Sequence, residues 1–189
     1  MGLFTTVNKE FERVAMHAVR WRLLKEQAKQ IGLPIHIIEI PFPCSNADYE
    51  RIMNEFITKI QNDNIEAVAF GDLYLEDIRD YRIKQMQGTG VKPIFPCWEI
   101  DTTELSKMII DVGIKANITC IDPKQISSDF AGHAFNQKLL NTLPNQVDPC
   151  GENGEFHTFV YDSPDFKNPI KVTQGETVER DGFIFTDWI

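Results

Sequence analysis

Residues 150–159, CGENGEFHTF, hold a cysteine, two glycines, two glutamates and a histidine at the head of an apolar run. Glu152, Glu155 and His157 can converge on a cationic or ammonia-like group, or serve as acid and base. Gly151 and Gly154 permit backbone angles that other residues avoid. A plainer reading also fits: a turn leads into an exposed strand, with Glu155, His157 and Phe159 alternating with Phe156, Thr158 and Val160. Residue chemistry alone leaves the two open. A metal site on Cys150, His157 and the nearby acids is a weaker third reading, because the ligand spacing is irregular.

Other residues could contribute. The run AVAFGD, residues 67–72, ends in Gly71-Asp72. There a ligand can approach the backbone, and the carboxylate can accept from a ribose hydroxyl or hold Mg²⁺. The same two residues could instead be a turn glycine and a helix cap. Arg79 and Arg82 are three apart, so they share a helix face. They could clamp phosphate or carboxylate, or be solvated and paired with Glu76 and Asp80. His17 lies in AMHAVRWRLL, a helical pattern, where a lone histidine is ordinarily structural. His36 in a strand and His133 in a turn do not stand out.

The elements that must position these residues alternate. Strands are expected at 3–7, 34–40, 67–72, 92–98 and 115–122. Helices are expected at 11–32, from the Ser45/Asn46 cap to 63, onward from 72 to about 87, at 101–113 and around 136–143. Alternation of this kind predicts a parallel sheet covered by helices on both faces. Ligands bind beyond the carboxyl ends of such strands, which selects 5–8, 41–46, 71–72 and 96–98. The tail breaks the rhythm, and its ERDG segment reads as a tight turn between antiparallel strands.

At 189 residues the chain can form one domain, or one domain with a small appendage. With 42% hydrophobic and 25% charged residues it has an ordinary soluble composition. The net charge of −9 argues against a nucleic-acid backbone as the main partner. No apolar run approaches the ~20 residues that span a bilayer, and no basic-then-apolar leader is evident. Cys44, Cys97, Cys120 and Cys150 are far apart and form no CxxC pair, as expected for reduced cysteines in a cytoplasmic protein.

The strings FGDLYLEDIRDYR, PIFPCWEIDTTELSKMII, LPNQVDPCGENGEFHTFVYDSPDF and RVAMHAVR…LLKEQAKQIGLP together resemble the diphthine–ammonia ligase-related ATP pyrophosphatases. The resemblance implies a Rossmann-like, adenine nucleotide α-hydrolase-like α/β domain over 1–122 and a smaller C-terminal α+β region over 123–189. It implies that ATP, with Mg²⁺, activates a carboxylate acceptor as an acyl-adenylate with loss of pyrophosphate, and that ammonia then gives the amide. On this resemblance Thr5, Thr6, His17, Gly71, Asp72 and Arg82 fall at the nucleotide. Glu152 and Glu155 are the catalytic candidates, and Cys150, Gly151, Gly154 and His157 face the acceptor. Asn153 stands where many members have glycine.

The family opens with a strand and a Ser-Gly-Gly-x-Asp-Ser-like loop that cradles phosphates on backbone N–H groups. Gly2 is the only glycine before Gly32, so that loop has no counterpart here. The family's second strand corresponds to residues 3–7. A gap in the sheet is therefore expected beside that strand, from an N-terminally incomplete chain, and unpaired edges would favour homo-oligomers. The chain is therefore expected to be an ATP-dependent amide-forming ligase, or the inactive remnant of one if the loop is required, with a non-catalytic AMP- or nucleotide-binding module as the alternative.

Overall fold

A computed structural model describes residues 1–11, 13–14, 17 and 19–189. Strands β1 (Leu3–Asn8) and β3 (Ile35–Ile40) pair in parallel, Leu3 opposite Ile35 and Asn8 opposite Ile40. Helix α1 (Trp21–Ile31) connects them and stops at Gly32, whose left-handed backbone (φ 81°) returns its N–H to the carbonyls of Ala28 and Lys29. Helix α2 (Asn46–Asn62) starts where the Ser45 hydroxyl accepts from the Asp48 N–H. It buries Met53, Phe56, Ile57 and Ile60 against Ile38 of β3, each side chain worth about 1.5–3 kcal/mol.

Strands β4 (Ala67–Ala69) and β5 (Lys92–Ile94) form a second parallel pair, connected by α3 (Glu76–Met86). Val68, Phe70, Met86 and Val91 from this pair and its helix join the α2 core. The expected single parallel sheet is thus two parallel pairs sharing one core. Strand β2 (Arg13–Val14) reaches only Val7 and Asn8 of β1. Among the described residues no strand lies beside residues 3–6 on the side away from β3, or beside β4 on the side away from β5. The break falls beside β1, where a gap is expected from the sequence.

Three expectations need correction. The helix expected from residue 11 starts at Trp21. Arg13–Val14 is a strand, the Val14 N–H donates to Val19, and His17 sits in a turn. Pairing with β1 and burial of Val19 outweigh the local helical pattern; Glu12, Ala15, Met16 and Ala18 lie outside the described residues. The strand expected at 92–98 ends at Ile94, because Phe95 accepts from Trp98 N–H in a turn. The strand expected at 115–122 to extend the parallel sheet is β6 (Lys115–Ile121), and it lies in an antiparallel sheet.

That antiparallel sheet begins after α4 (Thr102–Asp111), which is capped by Asp101. β6 is buried from Ala116 to Ile121 and pairs along its length with β8 (Phe156–Asp162). Its Ala116 and Asn117 also pair with β7 (Ala134–Phe135), and its Cys120 and Ile121 with β10 (Phe183–Trp188). Helix α5 (Gln137–Thr142) follows β7. Strand β9 (Gln174–Arg180) closes a hairpin on β10 through Asp181 and Gly182, both left-handed, in the expected ERDG turn. The fold is a mixed α/β one, with parallel and antiparallel sheets.

Candidate functional site

The loop from Asp148 to Glu155 is organised by its own carboxylates. Asp148 Oδ1 accepts from the backbone N–H of Cys150 (2.8 Å) and of Glu152 (3.3 Å), an Asp-centred turn. Its Oδ2 accepts from the Thr102 hydroxyl at 2.7 Å, which ties the loop to α4. Glu155 is only 2% exposed. Its Oε1 accepts from Asp148 N–H (2.9 Å) and from the Asn153 amide (3.0 Å), and its Oε2 is buried without a partner. Gly151 and Gly154 both have positive φ, 72° and 81°.

Glu152 leaves this loop for the tip of β4. Its Oε1 accepts from Leu73 N–H at 2.7 Å, and the Tyr74 N–H also donates to its carboxylate. Burial raises the Glu152 pKa, the two N–H groups oppose this, and Asp72 and Asp148 push it up further. Gly71 and Asp72 directly precede Leu73. A Cβ placed on Gly71 would meet nothing within 4 Å, so this backbone is open to approach. Thus the Gly71-Asp72 tip and the Cys150–Glu155 loop form one place, although 79 residues separate Leu73 from Glu152.

Arg82 Nε lies 3.8 Å from Asp72 Oδ2, and its guanidinium sits over Phe70, 5.0 Å from the ring centroid. Cys150 is not poised as a nucleophile. Its Sγ donates to the Thr102 carbonyl at 3.3 Å, and burial, then Asp148 and Glu152, push its pKa up to about 12. His157 stacks on His17 with ring centroids 4.2 Å apart, so an acceptor candidate and a nucleotide candidate meet. Thr5 and Thr6 lie in β1 opposite Ile37 and Ile38, and no hydrogen bond links them to Asp72 or Glu152 among the described residues. Among those residues no three His, Cys, Asp or Glu side chains group as a metal site.

Residues 101–186 match the family described as diphthamide synthase C-terminal domain. Over 138 residues the chain is 28% identical to the diphthine–ammonia ligase of Schizosaccharomyces pombe, covering 70% of this chain and 22% of that protein. The chain is similar to diphthine–ammonia ligases over about 70% of its length. Over 141 residues it is 26% identical to the Rattus norvegicus enzyme and 25% to the Homo sapiens enzyme, covering 71% of this chain and 52% of each. The chain thus spans about half, or less, of the length of these curated relatives. The matched region holds Asp148, Glu152 and Glu155.

Residue types alone missed Asp148, which holds the loop; Trp98, which faces Arg79, falls in the 96–98 segment that the strand-end rule selects. The Asp-Pro pair at 148–149 was the available signal for the first, since Asp before such a turn commonly accepts from the backbone two residues on. The rule does not name the partner of Trp98, which lies on a helix some 20 residues earlier in the chain.

Proposed function

We propose that this chain is an ATP-dependent amide-forming ligase of the diphthine–ammonia ligase kind, which adenylates a carboxylate and transfers ammonia to it. The Glu152–Leu73 hydrogen bond carries the reading. It fixes the loop that resembles the family's acceptor signature onto the strand tip that resembles its nucleotide site. The residues at that tip suit a nucleotide: Asp72 Oδ2 accepts no hydrogen bond and so can take one from a hydroxyl, and Arg82 is the cation paired with it at 3.8 Å. ATP, when bound, supplies the adenylyl group, and Mg²⁺ would arrive with its phosphates.

The chain's own residues then bind and orient. Glu152 is a positioning residue for the tip. Glu155 Oε2, buried and unpartnered, is the acceptor left for an N–H of the incoming ammonia. Cys150, Gly151, Gly154 and His157 form the acceptor side, and Thr5, Thr6 and His17 the nucleotide side. The finer architecture travels with this reading: a Rossmann-like, adenine nucleotide α-hydrolase-like part within 1–122, a substrate-facing region at 123–189 that pairs with β6, a cytoplasmic setting, and association through unpaired strand edges. Among the described residues no helix is long and apolar enough to cross a membrane.

Glu152→Ala should cut pyrophosphate and AMP release from ATP, in the presence of ammonium and a diphthine-bearing acceptor, by about a hundredfold, as expected when a positioning contact in the site is lost. Unchanged release with Glu152→Ala would remove the carboxylate from the mechanism. Both loop glutamates already satisfy backbone N–H groups, which favours a second reading as a nucleotide-binding module without turnover. AMP binding that survives Glu152→Ala, with no pyrophosphate formed, would select that reading.

A further inference from the structure

The face of α3 toward β5 holds buried polar atoms that make no hydrogen bond. The Arg79 guanidinium lies over Trp98, 4.5 Å from the ring centroid, and 5.6 Å from that of Phe95. Arg82 lies over Phe70 beside Asp72. The Nε of both arginines, the indole N–H of Trp98 and Asp72 Oδ2 are all buried without a hydrogen-bond partner. Arg82 Nε and Asp72 Oδ2 face each other as an ion pair at 3.8 Å, too long for a hydrogen bond; buried polar atoms are almost always hydrogen-bonded, so two unpartnered donors, Arg79 Nε and Trp98 Nε1, beside this stretched pair need a reason. Pairing within the helix does not supply one, because Glu76 and Asp80 form no ion pair with either arginine, and the Arg79 side chain has no hydrogen bond or ion pair to any described residue.

We propose that Arg79, Arg82 and Trp98 form a subsite for an oxyanion, a phosphate or a carboxylate, and that Asp72 takes an N–H or O–H of the same ligand. The aromatic faces hold both guanidinium planes still, so their forks are ready for a planar or tetrahedral anion without further ordering. The place is also right: the cluster lies at the carboxyl ends of β4 and β5, where parallel strands present ligands, next to the open Gly71 backbone. The proposal deepens the ligase reading and rests on it for the identity of the ligand, which is the phosphate end of the nucleotide or the carboxylate of the acceptor.

The test is a titration of the whole chain with inorganic pyrophosphate, AMP and glutamate, read by calorimetry and by tryptophan fluorescence. At least one probe should bind saturably at millimolar concentrations or below. Arg79→Gln should weaken that binding about tenfold, the usual size for one charge-assisted fork. Arg79→Lys should also weaken it, because an ammonium neither stacks nor forks. Trp98→Phe keeps the ring and removes the N–H; it should weaken binding about fivefold and abolish any fluorescence change that comes from Trp98. A response to pyrophosphate or AMP assigns the subsite to the nucleotide, and a response to glutamate assigns it to the acceptor. No saturable binding of any probe, or binding that all three folded variants leave unchanged, overturns the proposal. Pyrophosphate release with an unaltered KM in Arg79→Gln would sink the subsite and leave the ligase standing. Arg79-dependent binding without turnover would do the reverse.

Discussion

Gly151→Ala is expected to destabilise the protein by about 2–5 kcal/mol, while Gly154→Ala, three residues on, costs only about 1–2 kcal/mol. Both glycines have positive φ, so alanine at either meets the same backbone penalty, about 1–2 kcal/mol. The surroundings differ. A Cβ at Gly154 would have nothing within 4 Å. At Gly151 it would stand 2.6 Å from the Phe156 carbonyl oxygen and 3.2 Å from the Phe156 ring. The carbonyl belongs to the first residue of β8, and the ring is 2% exposed in the core beneath the antiparallel sheet. Neither can give way without moving the strand, so overpacking adds about 1–3 kcal/mol. Urea unfolding of the two variants side by side measures the difference. Equal midpoints would show that the loop does not press on β8. Because Glu152 adjoins Gly151, the same substitution should also loosen the bond to Leu73 and lower any activity of the site.

The local chemistry of this loop was legible, and its long-range connections were not. The glycines at 151 and 154 announced a left-handed turn, and the structure has one at each. The strand after it was legible too, but its setting was not. Alternation suggests one exposed face, whereas Phe156 and Phe159 are each 2% exposed and belong to different clusters. β6 shows the same limit: an unbroken apolar run reports that a strand is buried on both faces, not which way its neighbours run. Helix α1 was placed too early because the spacing of Val14, His17 and Leu24 fits a helix. The pairing that overrides it, Arg13 with Asn8 and with Arg20, depends on a strand already in place. The candidate site is visible only in such tertiary terms. Leu73 to Glu152, Thr102 to Asp148 and Arg79 to Trp98 are contacts between elements, and single-residue chemistry gives no hint of the partner.

Acid should loosen the contact of Arg13, His17, Val19 and the start of α1 with the antiparallel sheet in two steps. Val19 and Leu23 pack on Phe159 and Ile170 there, and two titrating groups sit in the same contact. The first is the His17–His157 stack. Burial, and then the charge of His157, lower the His17 pKa from 6.5 to about 4, and burial lowers that of His157. The fold therefore holds these rings neutral. Their contribution is full above pH 6.5 and is lost as pH falls from 6.5 toward 4, because the unfolded chain takes up the protons first. For His17 the shift corresponds to about 3 kcal/mol.

The second group is Asp187. Burial raises its pKa, but the hydrogen bonds and charges of Arg20 and Arg13 outweigh that and hold it at about 2, below the usual 3.8. The sign is opposite to that of a raised pKa: this stability is present above pH 3.8 and is lost as pH falls toward 2, about 2 kcal/mol in all. Urea midpoints from pH 7 to 2.5 should thus fall once between 6.5 and 4 and again below 4. His157→Phe should lessen the first fall without abolishing it, because burial still holds His17 neutral, and should leave the second unchanged. Asp187→Asn should lower stability at pH 7 by about 2 kcal/mol and flatten the second. A wild-type midpoint constant from pH 7 to 4.5 would show that the histidine pair is not held neutral, and an identical slope in His157→Phe would show that His157 takes no part in the first fall. Because the upper step lies close to neutrality, the segment that carries His17 is the first part of the molecule that mild acid should release.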